Sequence, residues 1–157
     1  ARDAALTQLA AMRRAEGDAL AAELRGRLAE LVHARAAIAE LAAAVPGQIA
    51  RRLAERIKRL AAEVAIDDAR IAQEIALHAD RADITEELIR LASHLEQARA
   101  LIDGAGAAGR RLDFLVQEIG RELNTIGAKS AAAEISTAIV GAKATLEKIR
   151  EQVQNVE

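Results

Sequence analysis

Gly109-Arg-Arg-Leu-Asp-Phe-Leu-Val-Gln-Glu-Ile-Gly-Arg-Glu-Leu-Asn-Thr-Ile-Gly-Ala-Lys-Ser130 is the stretch whose period decides the fold. At ~100° per residue its Leu112, Leu115, Val116, Ile119, Leu123 and Ile126 make one apolar stripe, and such a stripe has to be covered by other elements. Every other segment also has helical period, and none alternates as a half-buried strand does. The expectation is an all-α fold of long antiparallel helical hairpins, a bundle with no sheet.

The polar side of this helix is spaced as if for chemistry. Asp113, Gln117 and Asn124 fall in one line, Arg121 stands beside them, and Glu118 and Glu122 are one turn apart on the next ridge; together they are predicted to share one half-cylinder. Arg110 and Arg111 open the helix, although the helix dipole disfavours cations there. A docked anion such as a phosphate would account for them.

Composition narrows the class. The 157 residues include one Pro, one Phe, no Trp, no Tyr and no Cys, with 52% hydrophobic residues. That describes helices with small side chains at their interfaces. Disulfides and thiolate metal sites are excluded, and the absence of Cys suits a cytoplasmic protein. No apolar run approaches the ~18 residues of a membrane span. A net charge of −2 excludes a uniformly basic nucleic-acid binder, so any such contact must be local. Residues 45–66 hold five Lys/Arg against two Asp/Glu, whereas 67–103 hold four against nine.

In chain order, residues from about 4 to 44 read as one long helix ending before Pro46. A second helix runs from Pro46 to about Val64, with Ile49, Leu53, Ile57 and Leu60 as its stripe. The two are predicted to form a hairpin arm over 1–66, with the helical domain over 67–157. Arg52, Arg56 and Arg59 form a ridge flanked by Arg51 and Lys58, readable as a solvated face or as a track for phosphates. Glu30-Leu-Val-His33 has the ligand spacing of di-iron bundles but no second copy. It reads as a solvated face. Asp67 and Asp68 look like a helix start, and His78 one turn after Glu74 is left outside the site.

Over 83–103 the stripe is Ile84, Leu88, Leu91 and Leu95, and Asp83, Glu87, Arg90 and His94 stack along its edge. The turn Gly104-Ala-Gly-Ala-Ala-Gly109 spells G-x-G-x-x-G, but it follows a helix rather than a strand and is no dinucleotide loop. It returns the chain so that His94 comes level with about residue 118. Carboxylates and an imidazole from facing helices suit a hard divalent ion, so His94, Glu118 and Glu122 are the candidate ligands. After Ser130, a plausible N-cap, Ile135, Ile139, Ala142, Leu146, Ile149, Val153 and Val156 mark a helix–helix seam. Lys143, Glu147, Arg150 and Glu151 are explained by pairing along that helix.

Gly109, Arg110, Leu112, Asp113, Phe114, Gln117, Glu118, Arg121, Glu122, Asn124, Thr125, Lys129 and Ser130 together resemble the signature of the YicC/YloC-type endoribonuclease family. Asp83-Ile-Thr-Glu-Glu-Leu-Ile-Arg-Leu-Ala-Ser-His94 and the ending Glu147-Lys-Ile-Arg-Glu-Gln-Val-Gln-Asn-Val-Glu157 are similar to two further blocks of it. The likeness is close over roughly 70–157, with Gly120 and Leu123 departing from the family's more usual polar and small residues. Family members carry a separate N-terminal globular domain for which this chain has no room. The resemblance implies a metal-dependent endoribonuclease hydrolysing phosphodiesters of single-stranded or structured RNA, with magnesium or manganese, in a hexameric homo-oligomer. Within that implication Glu87, His94, Glu118, Arg121 and Glu122 are the candidate catalytic residues. Arg52, Arg56, Arg59, Arg90, Arg110, Arg111, Asn124 and Lys129 are the candidates for gripping RNA. The alternative is a non-catalytic helical module for oligomerisation or RNA binding.

Overall fold

The computed structural model describes residues 2–60, 68–104, 109–130 and 132–154. All regular structure there is helical: α1 (Arg2–Leu60), α2 (Asp68–Ala82), α3 (Thr85–Asp103), α4 (Gly109–Lys129) and α5 (Ala133–Gln154). The all-α expectation holds. α3 packs on α4, α4 on α5, α5 on α1 and α1 on α3, which closes a ring of four helices; α2 lies against α1.

The core is built from the stripes legible in the sequence. Leu112, Leu115, Val116, Ile119, Leu123 and Ile126 of α4 are all buried, as are Leu88, Leu91 and Leu95 of α3 with Ile84 just ahead of it. α5 contributes Ile135, Ile139, Ala142, Leu146, Ile149 and Val153, and α1 contributes Leu24, Leu28, Leu31 and Ile38. Full burial of such a side chain stabilises by about 1.5–3 kcal/mol. Ser130, read as the N-cap of the last helix, stands ahead of it: Ala132 occupies the cap position, its carbonyl accepting from the Ser136 amide at 3.0 Å, and the Ser130 hydroxyl accepts from the Ala132 amide at 3.3 Å in the turn that precedes α5.

The first hairpin does not form. α1 runs through Pro46 without a break for 59 residues, roughly 90 Å at ~1.5 Å per residue. Proline removes one amide donor and crowds the carbonyl four residues earlier. Here the helical stripe continues on both sides, with Leu41, Val45, Ile49 and Leu53 each half-buried. That continuity of packing offsets the local loss, and the arm predicted over 1–66 is a single rod as far as Leu60. Its first part is bare: every side chain from Asp3 to Ala19 is exposed, including Leu6, Leu9 and Met12.

One local reading also changes. Gly104 takes an extended conformation, φ −81° and ψ 150°, so it ends α3 without the left-handed geometry that glycine uniquely allows. Asp67, one of the two residues proposed to start α2, Leu60 as a side chain and Val156 lie outside the described residues.

Candidate nucleic-acid interface and active site

α4 carries two polar lines on its two flanks. Glu118, Glu122 and Lys129 lie roughly a quarter turn to one side of the apolar stripe, Gln117 and Asn124 lie on the other, and Arg121 points most directly away. The half-cylinder expected from the sequence is therefore split between two neighbours, α3 and α5.

The α3 flank is an ion-pair ladder. Arg90 donates to Glu122 Oε1 at 2.9 Å, to Glu87 Oε1 at 3.1 Å and to Glu86 Oε2 at 3.3 Å. Lys129 Nζ lies 3.0 Å from Glu87 Oε1 and donates at 3.0 Å to the carbonyl of Asp83. Asp83 Oδ1 accepts from the Thr85 amide at 2.9 Å and its hydroxyl at 2.6 Å. Glu87 and Glu122 are 3% and 5% exposed, so these cations compensate two carboxylates that have been taken out of water.

Electrostatics follow this geometry. Burial pushes the Glu87 carboxyl up, but the Lys129 hydrogen bond, its own backbone amide and the charges of Lys129 and Arg90 together hold it below the ordinary range. The Thr85 hydroxyl and amide bonds likewise lower Asp83. Bonding to Glu122 first, and to Glu86 and the charge of Glu87 after it, raises the Arg90 guanidinium above its ordinary value. Groups lowered in the folded state stabilise it fully above their unfolded pKa, about 4, and lose that contribution as pH falls through the folded value. Lys129→Met removes one of the two cations on Glu87 together with its hydrogen bond, so burial weighs more heavily against the Arg90 charge and backbone bond that remain. The midpoint of acid unfolding, followed by circular dichroism, is expected to move to higher pH; an unmoved midpoint would contradict the assignment.

The same pairs fix the register of α3 against α4. Arg90 meets Glu122 and Asp83 meets Lys129, so the helices run antiparallel and residue 94 stands level with residue 118, as anticipated. Beyond the Arg90–Glu122 pair the ladder is open. His94 Nδ1 and Glu122 Oε2 are buried without a hydrogen-bond partner. Glu118 is one-quarter exposed and lies 3.9 Å from Arg121.

Glu87 and Glu122, expected to be catalytic, are thus engaged as counter-ions inside the ladder, whereas His94 and Glu118 stand at its open end. Among the described residues no three His, Cys, Asp or Glu side chains gather as a metal-holding group. His94, Glu118 and Glu122 therefore do not form a closed ligand set within one chain. Glu30, which accepts from Thr145, and the exposed His33 form no such group either.

The α5 flank is a groove of about 740 Å³. Gln117, Arg121, Asn124 and Thr125 of α4 line one wall, and Lys143, Glu147 and Arg150 of α5 the other, over a floor that includes Gly120 and Leu146. A Cβ at Gly120 would approach Leu146 Cδ2 to 3.4 Å, so the glycine keeps the floor low. Lys143 and Arg150 were missed as site residues because pairing with Glu147 explained them. One such pair exists, Arg150 to Glu147 at 3.8 Å. Their spacing of seven, matching that of Gln117 and Asn124 across the groove, was the available signal.

Arg110 and Arg111 border a separate cleft with Gln97, Leu101 and Phe114. Phe114 is 59% exposed, an aromatic face beside two cations, which is the combination that holds single-stranded bases. Arg52, Arg56 and Arg59 are exposed along α1, well removed in sequence from both flanks of α4.

The family described as "Endoribonuclease YicC-like, C-terminal" matches residues 38–157. The chain belongs to the YicC-like family. It is 41% identical over 154 residues to the "Probable endoribonuclease YicC" of Clostridioides difficile (strain 630), covering 98% of this chain and 53% of that protein. It is 37% identical over 155 residues to the protein of that name from Haemophilus influenzae (strain ATCC 51907 / DSM 11121 / KW20 / Rd), covering 99% and 53%. The chain thus spans about half the length of these YicC relatives. Both flanks of α4, the ladder and the groove, fall inside the matched region.

Proposed function

We propose that this chain is the RNA-handling and catalytic part of an endoribonuclease. The observation that carries the reading is the position of Arg121. It lines the α4–α5 groove and stands 3.9 Å from Glu118 at the open end of the ladder, so a cation that can hold a phosphate adjoins a carboxylate that can move a proton. The names of the YicC relatives support the same activity.

In this reading Arg121, Lys143 and Arg150 hold backbone phosphates, with Gln117 and Asn124 bonding sugar or phosphate oxygens. Cleavage of a phosphodiester requires a proton to leave the attacking oxygen and another to reach the departing one. Glu118 accepts the first, His94 serves the second, and Arg121 offsets charge developing on the phosphoryl oxygens. Glu87, Arg90, Glu122 and Lys129 hold the two helices in register and so position these groups. A magnesium or manganese ion, when bound, would stabilise charge on the same oxygens. With no closed ligand set in one chain, no step is assigned to it.

Internal cleavage of a structured RNA by the purified chain tests the reading, and RNA bound but left intact would overturn it. Arg110→Ala with Arg111→Ala is expected to weaken binding to all sequences alike. The slope of log affinity against log salt should fall by about 1.4, two single-strand phosphate contacts at ~0.7 each. An unchanged slope would remove these arginines from the interface.

The bare start of α1 favours a second element of the proposal, a homo-oligomer, which the resemblance makes a hexamer. Leu6, Leu9 and Met12 are more than half exposed or nearly so, at 58%, 50% and 55%, on a rod that extends past the bundle. Sedimentation at micromolar concentration should show an assembly, and a monomer would count against it.

A further inference from the structure

Away from the ladder and the groove, a cleft of about 230 Å³ is walled by Arg52 of α1, His78 and Arg81 of α2, and Lys129 at the end of α4. His78 and Arg81 are three residues apart and project from one face of their helix. Arg52, His78 and Arg81 have no hydrogen-bond or ion-pair partner among the described residues. Lys129 is held by Glu87 and the Asp83 carbonyl, but an ammonium has three donors, and one remains. Val45 and Ile49 supply apolar wall, which lowers the local dielectric and strengthens any charge interaction inside. Unpaired cations brought to one cleft cost free energy by mutual repulsion unless an anion joins them.

We propose that this cleft is a phosphomonoester site and that its ligand is the terminal phosphate of an RNA strand. The proposal rests on the reading of the chain as a protein that acts on RNA. Size favours a phosphate over a larger ligand, since the volume falls below the ~300–1,000 Å³ of pockets that take whole small molecules. Charge favours an end over the interior of a strand. A terminal phosphate carries about −1.5 to −2 at neutral pH, whereas an internal diester carries a single charge, and the two unpaired guanidiniums match the former. Arginine's planar fork also suits the several oxygens of a terminal phosphate. Lys129 joins this cleft to the ladder, and residue 129 lies roughly 16 Å along α4 from residue 118. A strand held by its end in the cleft is thereby tethered within a few nucleotides of Glu118.

The test has two arms, both on the whole chain. Inorganic phosphate is titrated by calorimetry, and three oligoribonucleotides of one sequence, bearing a 5′-phosphate, a 3′-phosphate or hydroxyls at both ends, are compared by fluorescence anisotropy. Phosphate should bind the chain and bind Arg81→Gln at least about tenfold more weakly, the weight of one charge-assisted hydrogen bond. One phosphorylated oligonucleotide should bind about tenfold more tightly than the hydroxyl form, with the preference lost in both Arg81→Gln and Arg52→Gln. Both arginines are exposed and unbonded, so thermal melts of the variants should match the parent. Equal affinity for all three oligonucleotides, or a preference that survives in Arg81→Gln, overturns the proposal. Internal cleavage without any end preference overturns it while leaving the ribonuclease reading intact; phosphate binding with no RNA binding overturns both.

Discussion

Glu118→Gln is expected to lower RNA cleavage by about 10²–10⁴-fold, the range over which a positioned acid or base contributes, with RNA affinity within a factor of about two. The substitution removes a charge and a proton acceptor but almost no volume. Glu118 makes one long contact, to an Arg121 that is itself largely exposed, and exposed pairs of this kind stabilise a fold by only ~0–1 kcal/mol. The melt should therefore be unchanged, which separates a chemical role from a structural one. Cleavage retained in Glu118→Gln would move the chemistry elsewhere, and a large loss of RNA affinity would recast Glu118 as part of the ladder.

Arg90→Ala is expected to have a different profile. Arg90 is the only hydrogen-bond partner of buried Glu122 among the described residues and one of two cations on buried Glu87. Removing it leaves Glu122 desolvated and uncompensated, the situation in which loss of one partner is far more damaging than the pair is worth. The thermal midpoint should fall by on the order of 10 °C, and cleavage should fall with it, because the pair that sets the register of Glu118 against His94 is lost. Replacing both partners, Arg90→Met with Glu122→Leu, should recover much of the loss, because an apolar pair of similar volume carries no desolvation cost. A double variant as unstable as the single one would show that Arg90 acts through something other than the buried carboxylates.

Most of the fold was legible. The α4 stripe, and the α5 stripe as far as Val153, appear in the core residue for residue because hydrophobic period reports which face is covered. The break at Pro46 was the exception: local chemistry argued for an end, and the apolar face continuing on both sides kept the rod whole. The site was legible in part. The antiparallel register that brings His94 level with Glu118 followed from the position of the turn, whereas the stacking of Asp83, Glu87 and Arg90 marked the residues of the ladder without showing that Arg90 pairs with Glu122. What period alone could not show is that residues one position apart, Gln117 and Glu118 or Arg121 and Glu122, serve different neighbours. That division depends on which helices flank α4, a fact of tertiary packing. His78 illustrates the same limit, since its relation to Arg52 arises only because α2 lies against α1.

In the proposed reading RNA lies in the α4–α5 groove, with Arg121 between it and Glu118. This placement is tested most directly by cross-linking a photoreactive RNA to the chain and mapping the modified residues by mass spectrometry. Cross-links are expected within 117–125 of α4 and 143–150 of α5. Cross-links confined to the basic ridge of α1 around residues 51–59, with both walls of the groove unmodified, would contradict it.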